Sequence, residues 1–229
     1  MNRSLTLGLL LTVSFFAVLA YMVTPSFDGE NFLAYADLKF NQYAKASSYF
    51  IPDVKIGLEE YKDREFTFTV EMKNSEDAEK TTLLYEKAGA RVSVDNAKVT
   101  ISGSMALLYS ALEDADAAFN NDAAYFTEKY GISARETLFL WYTSLNVLAK
   151  QLEKEHRFEE SLYVKNQVIT RAIEPAYNFY GIEASPMDIL GAGLLVFYVV
   201  YTLWWGFAIY YVFEGLGIKL TKAKEKKEV

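Results

Sequence analysis

The sequence predicts a mostly helical α+β protein: two transmembrane helices flanking an extracytoplasmic domain, which holds a small antiparallel sheet and a helical hairpin. Three observations carry this. Two long uncharged runs, residues 5–23 and 189–213, lie near the ends of the 229-residue chain. Between them, a segment of period-two alternation is followed by a helical pattern and a hairpin pattern. Further on, apolar residues recur in steps of three and four, the spacing of paired helices. The expected division is an N-terminal anchor (1–24), an extracytoplasmic domain (25–185), a second transmembrane helix (186–217) and a Lys-rich tail (218–229).

The first run, Leu5 to Val23, spans roughly 28 Å as a helix, close to the hydrocarbon thickness of a bilayer. Arg3 precedes it, and Pro25, Asp28 and Glu30 follow. Val18-Leu19-Ala20 would serve as a signal-peptide cleavage site, but the run exceeds the usual h-region, which favours a retained anchor.

In residues 26–61 a loose helical periodicity covers Asn31 to Ala46, and Ser47 to Pro52 interrupts it. The expectation is a short helix followed by an irregular segment near the membrane surface. Glu65 to Met72 then alternates, so Phe66, Phe68, Val70 and Met72 face one way. Asn74-Ser-Glu-Asp77 supplies an N-cap and an acidic first turn for a helix ending at Gly89. Two further strands, Arg91–Val94 and Lys98–Ile101, flank Asp95-Asn96-Ala97.

From Ser104 to Tyr180 the pattern is helical. Leu108, Leu112, Ala115, Phe119, Phe126 and Tyr130 form one stripe, stopped at Gly131. Ser133 and Glu136 have capping-box spacing, and Leu138, Trp141, Leu145, Leu148 and Leu152 form a seam. Phe158, Leu162, Ile169, Ile173 and Ala176 extend the apolar face, with Pro175 expected to kink or restart the helix near Glu174.

The second hydrophobic run begins at Ser185-Pro186-Met187-Asp188, read as N-cap, first helical residue and an acid in the first turn. Gly215 and Gly217 mark its end. Five lysines follow between Lys219 and Lys227. Lysine and arginine stay on the cytoplasmic side, so both termini are expected there, in the cell (inner) membrane. Tyr201, Trp204 and Trp205 fall near the middle of this run, where their O–H and N–H groups need acceptors. Phe197, Tyr201, Trp204, Ala208 and Tyr211 share a face that calls for the first helix, another subunit, or a lipid or quinone headgroup. Gly191 and Gly193 would allow close approach. Tyr177 and Tyr180 suit the outer membrane interface.

The charge distribution narrows the partners. Net charge is −7, but residues 24–188 hold 17 Lys and Arg against 27 Asp and Glu. An acidic middle repels nucleic acid. With no Cys and a single His, His156, there is no disulfide, thiolate metal site or Cys nucleophile. Glu153 and His156 have E-x-x-H spacing without the second His a di-iron site uses, so a solvated face is the better reading. Glu113, Asp116, Asn120 and Asp122 form the densest oxygen cluster but lack a calcium-loop glycine.

No cofactor is implied. The expected function is a non-catalytic, membrane-anchored accessory or scaffold subunit of a membrane complex or homo-oligomer. Its partners would be the lipid bilayer and other membrane subunits or a second copy, met through Tyr201, Trp204, Trp205, Tyr211, Tyr177 and Tyr180. The alternatives are a module binding a small ligand, lipid or peptide in a pocket between sheet and helices, and a metal-assisted enzyme using the cluster near Asp116.

Overall fold

A computed structural model describes residues 2–218; the lysine run from Lys219 lies outside them. Along the chain run α1 (Arg3–Met22), α2 (Phe32–Ser47), α3 (Ile51–Leu58), β1 (Glu65–Glu71), α4 (Ser75–Lys87), β2 (Arg91–Asp95), β3 (Lys98–Ser104), α5 (Leu108–Phe119), α6 (Ala123–Tyr130), α7 (Ala134–Lys154), α8 (Phe158–Tyr163), α9 (Glu174–Asn178) and α10 (Ile189–Gly215). A 3-10 turn at Met105–Leu107 enters α5, and a π-helical stretch, Val164–Ile173, joins α8 to α9. The described residues form two compact units: residues 2–43 with 186–218, and residues 44–185.

In the first unit α1 and α10 pack antiparallel. Gly8 faces the Val212 backbone, Gly215 faces Leu5, and Phe15 meets Tyr201 and Trp205. A Cβ on Gly8 would stand 2.5 Å from the Val212 nitrogen, and one on Gly215 2.6 Å from the Leu5 Cα. These two glycines set the spacing of the pair. Gly193 has open space around it, and Gly191 faces the Tyr43 ring of α2. The glycines near the start of α10 therefore do not serve the helix–helix contact.

The start of α10 differs from the sequence expectation. The N-cap is Asp188, whose carboxylate accepts from Gly191 N at 2.9 Å and from the Tyr43 hydroxyl at 2.7 Å. An aspartate that satisfies a first-turn N–H outranks a Ser-Pro pair three residues upstream as a helix start. At the other end of α1, Asp28 and Gly29 turn the chain at positive φ, and Phe27 packs on Tyr21, Phe32 and Tyr35.

Both helices are long and apolar enough to cross a membrane, at about 30 and 40 Å. Only 17% and 11% of their most apolar windows are buried by the protein itself. A core helix of a water-soluble fold would be mostly covered.

In the second unit the sheet order is β1-β3-β2, antiparallel throughout. Phe66, Phe68 and Val70 of β1 and Val99 and Ile101 of β3 are buried on one face. On the other, Thr67 bonds Ser102 and Thr69 bonds Thr100. The two-residue Asn96-Ala97 turn, with Asn96 at φ 54°, closes the hairpin. Asn74 caps α4 by accepting from Asp77 N, and Ser133 caps α7 by accepting from Glu136 N.

The core fills the space between sheet and helices. Leu84 and Tyr85 of α4, Leu138, Trp141 and Leu145 of α7, and Leu108 and Leu112 of α5 are all fully buried. The Tyr85 ring lies 4.7 Å from that of Trp141. The pocket expected there for a small ligand is occupied by these side chains.

Three other expectations change. The segment after Ser47 is not irregular, because α3 starts at Ile51, with Pro52 in its first turn. The stripe from Leu108 to Tyr130 is divided between α5 and α6, with Asn121 at φ 58° in the break. In α8, Phe158 and Leu162 are exposed, while Glu160 and Ser161 are buried. The wider π-helical turn from Val164 shifts the inward face to Val164, Val168, Ile169, Ala172 and Ile173, so a 3.6-residue stripe does not carry through. The helix resumes α geometry at Glu174, beside Pro175 as expected.

Candidate functional site

The acidic run of α5 does not gather into one site. Among the described residues no three Asp, Glu or His side chains come together to hold a metal ion. Glu113 is exposed. Asp116 accepts from the Tyr49 hydroxyl at 2.7 Å and from Asn120 Nδ2 at 3.1 Å, with Lys55 Nζ at 3.7 Å. Asp122 caps α6 through Tyr125 N. Burial and Asp116 push the Tyr49 phenol up to about 12. Burial and Glu59, which accepts its hydroxyl, do the same for Tyr109. His156 sits in the turn after α7 at φ 58°, exposed, with Phe158 against its ring.

The residue in that run with the most partners is Asp114, which the pattern of the sequence does not single out. Its side chain is fully buried and accepts four hydrogen bonds. Tyr125 Oη (2.8 Å) and Lys129 Nζ (2.8 Å) reach one oxygen; Tyr130 Oη (2.9 Å) and Trp141 Nε1 (2.7 Å) reach the other. Burial first, then the nearby carboxylate, raises both tyrosines far above their ordinary value. A signal is present all the same: Asp114 lies three residues after Ala111 and four before Ala118, on the apolar face of α5.

Lys45 is the second buried charge, 1% exposed. Its ammonium donates to Asn121 Oδ1 (3.2 Å), Phe179 O (3.2 Å) and Ile182 O (2.6 Å), and stands 5.0 Å from the centre of the Phe119 ring. Burial pulls its pKa below the ordinary lysine value, and Glu183 opposes this. Asn121 in turn accepts from Gly181 N and donates to Ile182 O. Lys45 thus ties the first residues of this unit to its last. Nothing in the polar surroundings of Lys45 in the sequence marks it as buried.

Among the aromatic residues of α10, Tyr201 stacks on Phe15 with ring centres 4.3 Å apart, and on Phe197 at 5.5 Å. Trp205 lies 4.7 Å from Phe15. Trp204 donates its Nε1–H to the Leu11 carbonyl at 3.1 Å, which supplies the acceptor it needs. Tyr201 Oη is the buried side-chain oxygen that has no hydrogen-bond partner among the described residues. Tyr211 borders an apolar groove with Leu11, Val200, Leu203, Trp204 and Phe207.

Tyr177 and Tyr180 belong to the other unit. Tyr177 is 38% exposed and lines a cleft with Phe139, Tyr142, Ile173, Glu174 and Asn178. The Tyr180 carbonyl accepts from Arg135, whose guanidinium lies 6.0 Å from the Tyr177 ring centre. Helical periodicity does not draw attention to Phe139 and Tyr142, because they lie on the back of the α7 seam.

Compared with known protein families, curated proteins and solved structures, the chain matches none.

Proposed function

We propose that this chain is a non-catalytic, two-pass membrane subunit that holds an acidic α+β domain outside the cell membrane, with both ends in the cytoplasm, and docks other membrane subunits or a second copy of itself. The observation that carries this reading is the exposure of α1 and α10. Two helices of membrane-spanning length keep most of their apolar surface free of their own fold, and lipid or other helices are the surroundings in which that is stable. Arg3 at the start of α1 and the lysine run after α10 support the orientation.

The non-catalytic part rests on how the buried charges are used. Asp114 and Lys45 have their hydrogen-bonding capacity filled by structural partners, and the third buried charge, Glu160, is held by Arg64 and Arg157. None of the three lines a described cavity.

Because the chain has no native Cys, single cysteines can be introduced as topology probes. In whole cells a membrane-impermeant thiol reagent is expected to label Glu79→Cys and to spare a cysteine placed at Lys226. Native mass spectrometry of the gently solubilised chain is expected to show a complex. The reverse labelling pattern, or a lone monomer at every detergent level, would defeat the proposal.

A further inference from the structure

The cleft on the α7–α9 surface has a composition that selects a ligand. It encloses about 300 Å³, at the small end of ligand sites. Phe139, Tyr142 and Tyr177 supply three aromatic walls and are 55%, 39% and 38% exposed. Aromatic surface left in contact with water at three adjacent positions is costly. Asn178 and Glu174 supply the polar lining, and the Glu174 carboxylate makes no hydrogen bond or ion pair among the described residues.

Electrostatics decides between ligand classes. The faces of aromatic rings carry negative potential, and Glu174 adds a full negative charge. An anion would be repelled. A neutral apolar molecule would strip water from Glu174 and give nothing back. A cation with an apolar surface satisfies both rings and carboxylate, and one without N–H groups gives up its water most cheaply. Tyr177 already receives a cation at its ring from within the chain, the Arg135 guanidinium.

We propose that this cleft binds a small organic cation of the quaternary ammonium class, with Phe139, Tyr142 and Tyr177 around the head group and Glu174 as its counter-charge. The site goes beyond the membrane-subunit reading and stands or falls separately from it. The shared chemistry has two sources, a free solute or a choline lipid headgroup.

The test uses the full chain in maltoside micelles, titrated with tetramethylammonium and with neopentyl alcohol, a neutral near-isostere with the same branched apolar body. Calorimetry and the resonances of 13Cζ-labelled tyrosines report binding. Saturable binding of the cation alone is expected, with shifts at Tyr142 and Tyr177. Tyr177→Ala and Glu174→Gln should each weaken it about tenfold. Tyr177 is exposed and Glu174 half-buried, and circular dichroism of each variant is expected to match the wild type. In nanodiscs, a free-solute site binds tetramethylammonium in phosphatidylcholine and phosphatidylglycerol alike. A headgroup site binds it in phosphatidylglycerol and is already filled in phosphatidylcholine. Absent or unsaturable binding, equal binding of the neutral near-isostere, or unchanged affinity in both variants would overturn the proposal.

Discussion

The two units of this protein place their apolar and polar groups by opposite rules. In the domain of residues 44–185, Trp141, Tyr85 and Leu138 are fully covered, and the buried charges Asp114 and Lys45 are fully bonded. In the α1–α10 pair, Leu10, Val13, Val196, Tyr198 and Leu203 are more than half exposed, and contact is concentrated at Gly8, Phe15, Ala208 and Gly215. The domain is held by burial against water together with a few polar nodes. The pair is held by close backbone approach and ring stacking rather than by covering most of its apolar surface. Substitutions should therefore sort by unit: polar deletions damage the domain, and bulk at glycine damages the pair.

The largest effect is expected at Asp114. Asp114→Ala leaves Lys129 without its counter-charge and removes the acceptor of Tyr125, Tyr130 and Trp141. Breaking such a buried charged network costs about 3–5 kcal/mol. Thermal unfolding of the solubilised chain, followed by the near-ultraviolet signal in a Trp204→Phe, Trp205→Phe background that leaves Trp141 alone, should shift strongly downward. Helicity of the α1–α10 pair should persist. An unfolding profile within about 1 kcal/mol of wild type would show that the network is not the domain's main polar anchor.

Much of the domain's architecture can be traced in the primary structure because its local signals agree. The alternation of Phe66, Phe68 and Val70 matches a strand with one wet face, and Asn74 and Ser133 cap the helices their positions announce. What stays hidden depends on partners distant in sequence. Asp114 stands in the string Glu113-Asp114-Ala115-Asp116, where composition suggests a solvated face; the choice of which acid turns inward is made by Tyr130 and Trp141, 16 and 27 residues away. The π-helical stretch is invisible to a pattern that assumes 3.6 residues per turn, and that pattern places Phe158 and Leu162 inward when they are exposed. The aromatic cleft is hidden for a related reason, since α7 supplies a seam on one side and Phe139 and Tyr142 on the other.

A smaller effect, confined to the pair, is expected at Gly8. Gly8→Leu forces side-chain bulk against the Val212 and Tyr211 backbone, which cannot yield as a flexible side chain would. Overpacking of this kind costs about 1–3 kcal/mol. Gly193→Leu, on the same pair of helices but with nothing within 4 Å, is the matched control. In an otherwise Cys-free chain, cysteines at Leu11 and Phe207, which border one groove of the pair, are expected to crosslink readily with a short bifunctional thiol reagent. Gly8→Leu should slow that crosslinking and Gly193→Leu should not. Equal slowing by both would mean that the helices are not held at this point of closest approach.

The smallest effect concerns alkaline pH and sharpens the contrast from the domain side. Tyr49 is held neutral to about 12, by burial first and then by its hydrogen bond to Asp116. In the unfolded chain it ionises near its ordinary value of 10.0. A folded pKa above the unfolded one means that the native state keeps a proton the unfolded state has lost. The stabilisation is therefore complete below pH 10 and fades as pH rises towards 12. Tyr49 is 41% exposed, so solvent screens much of this contribution. Tyr49→Phe is expected to leave neutral stability nearly unchanged and to soften the loss of domain stability above pH 10. The 13Cζ resonance that disappears in this variant should titrate late in the wild type. If that resonance titrates near 10 instead, the bond from Tyr49 to Asp116 does not persist in solution, and the grip of α5 on this tyrosine is weaker than its 2.7 Å contact implies.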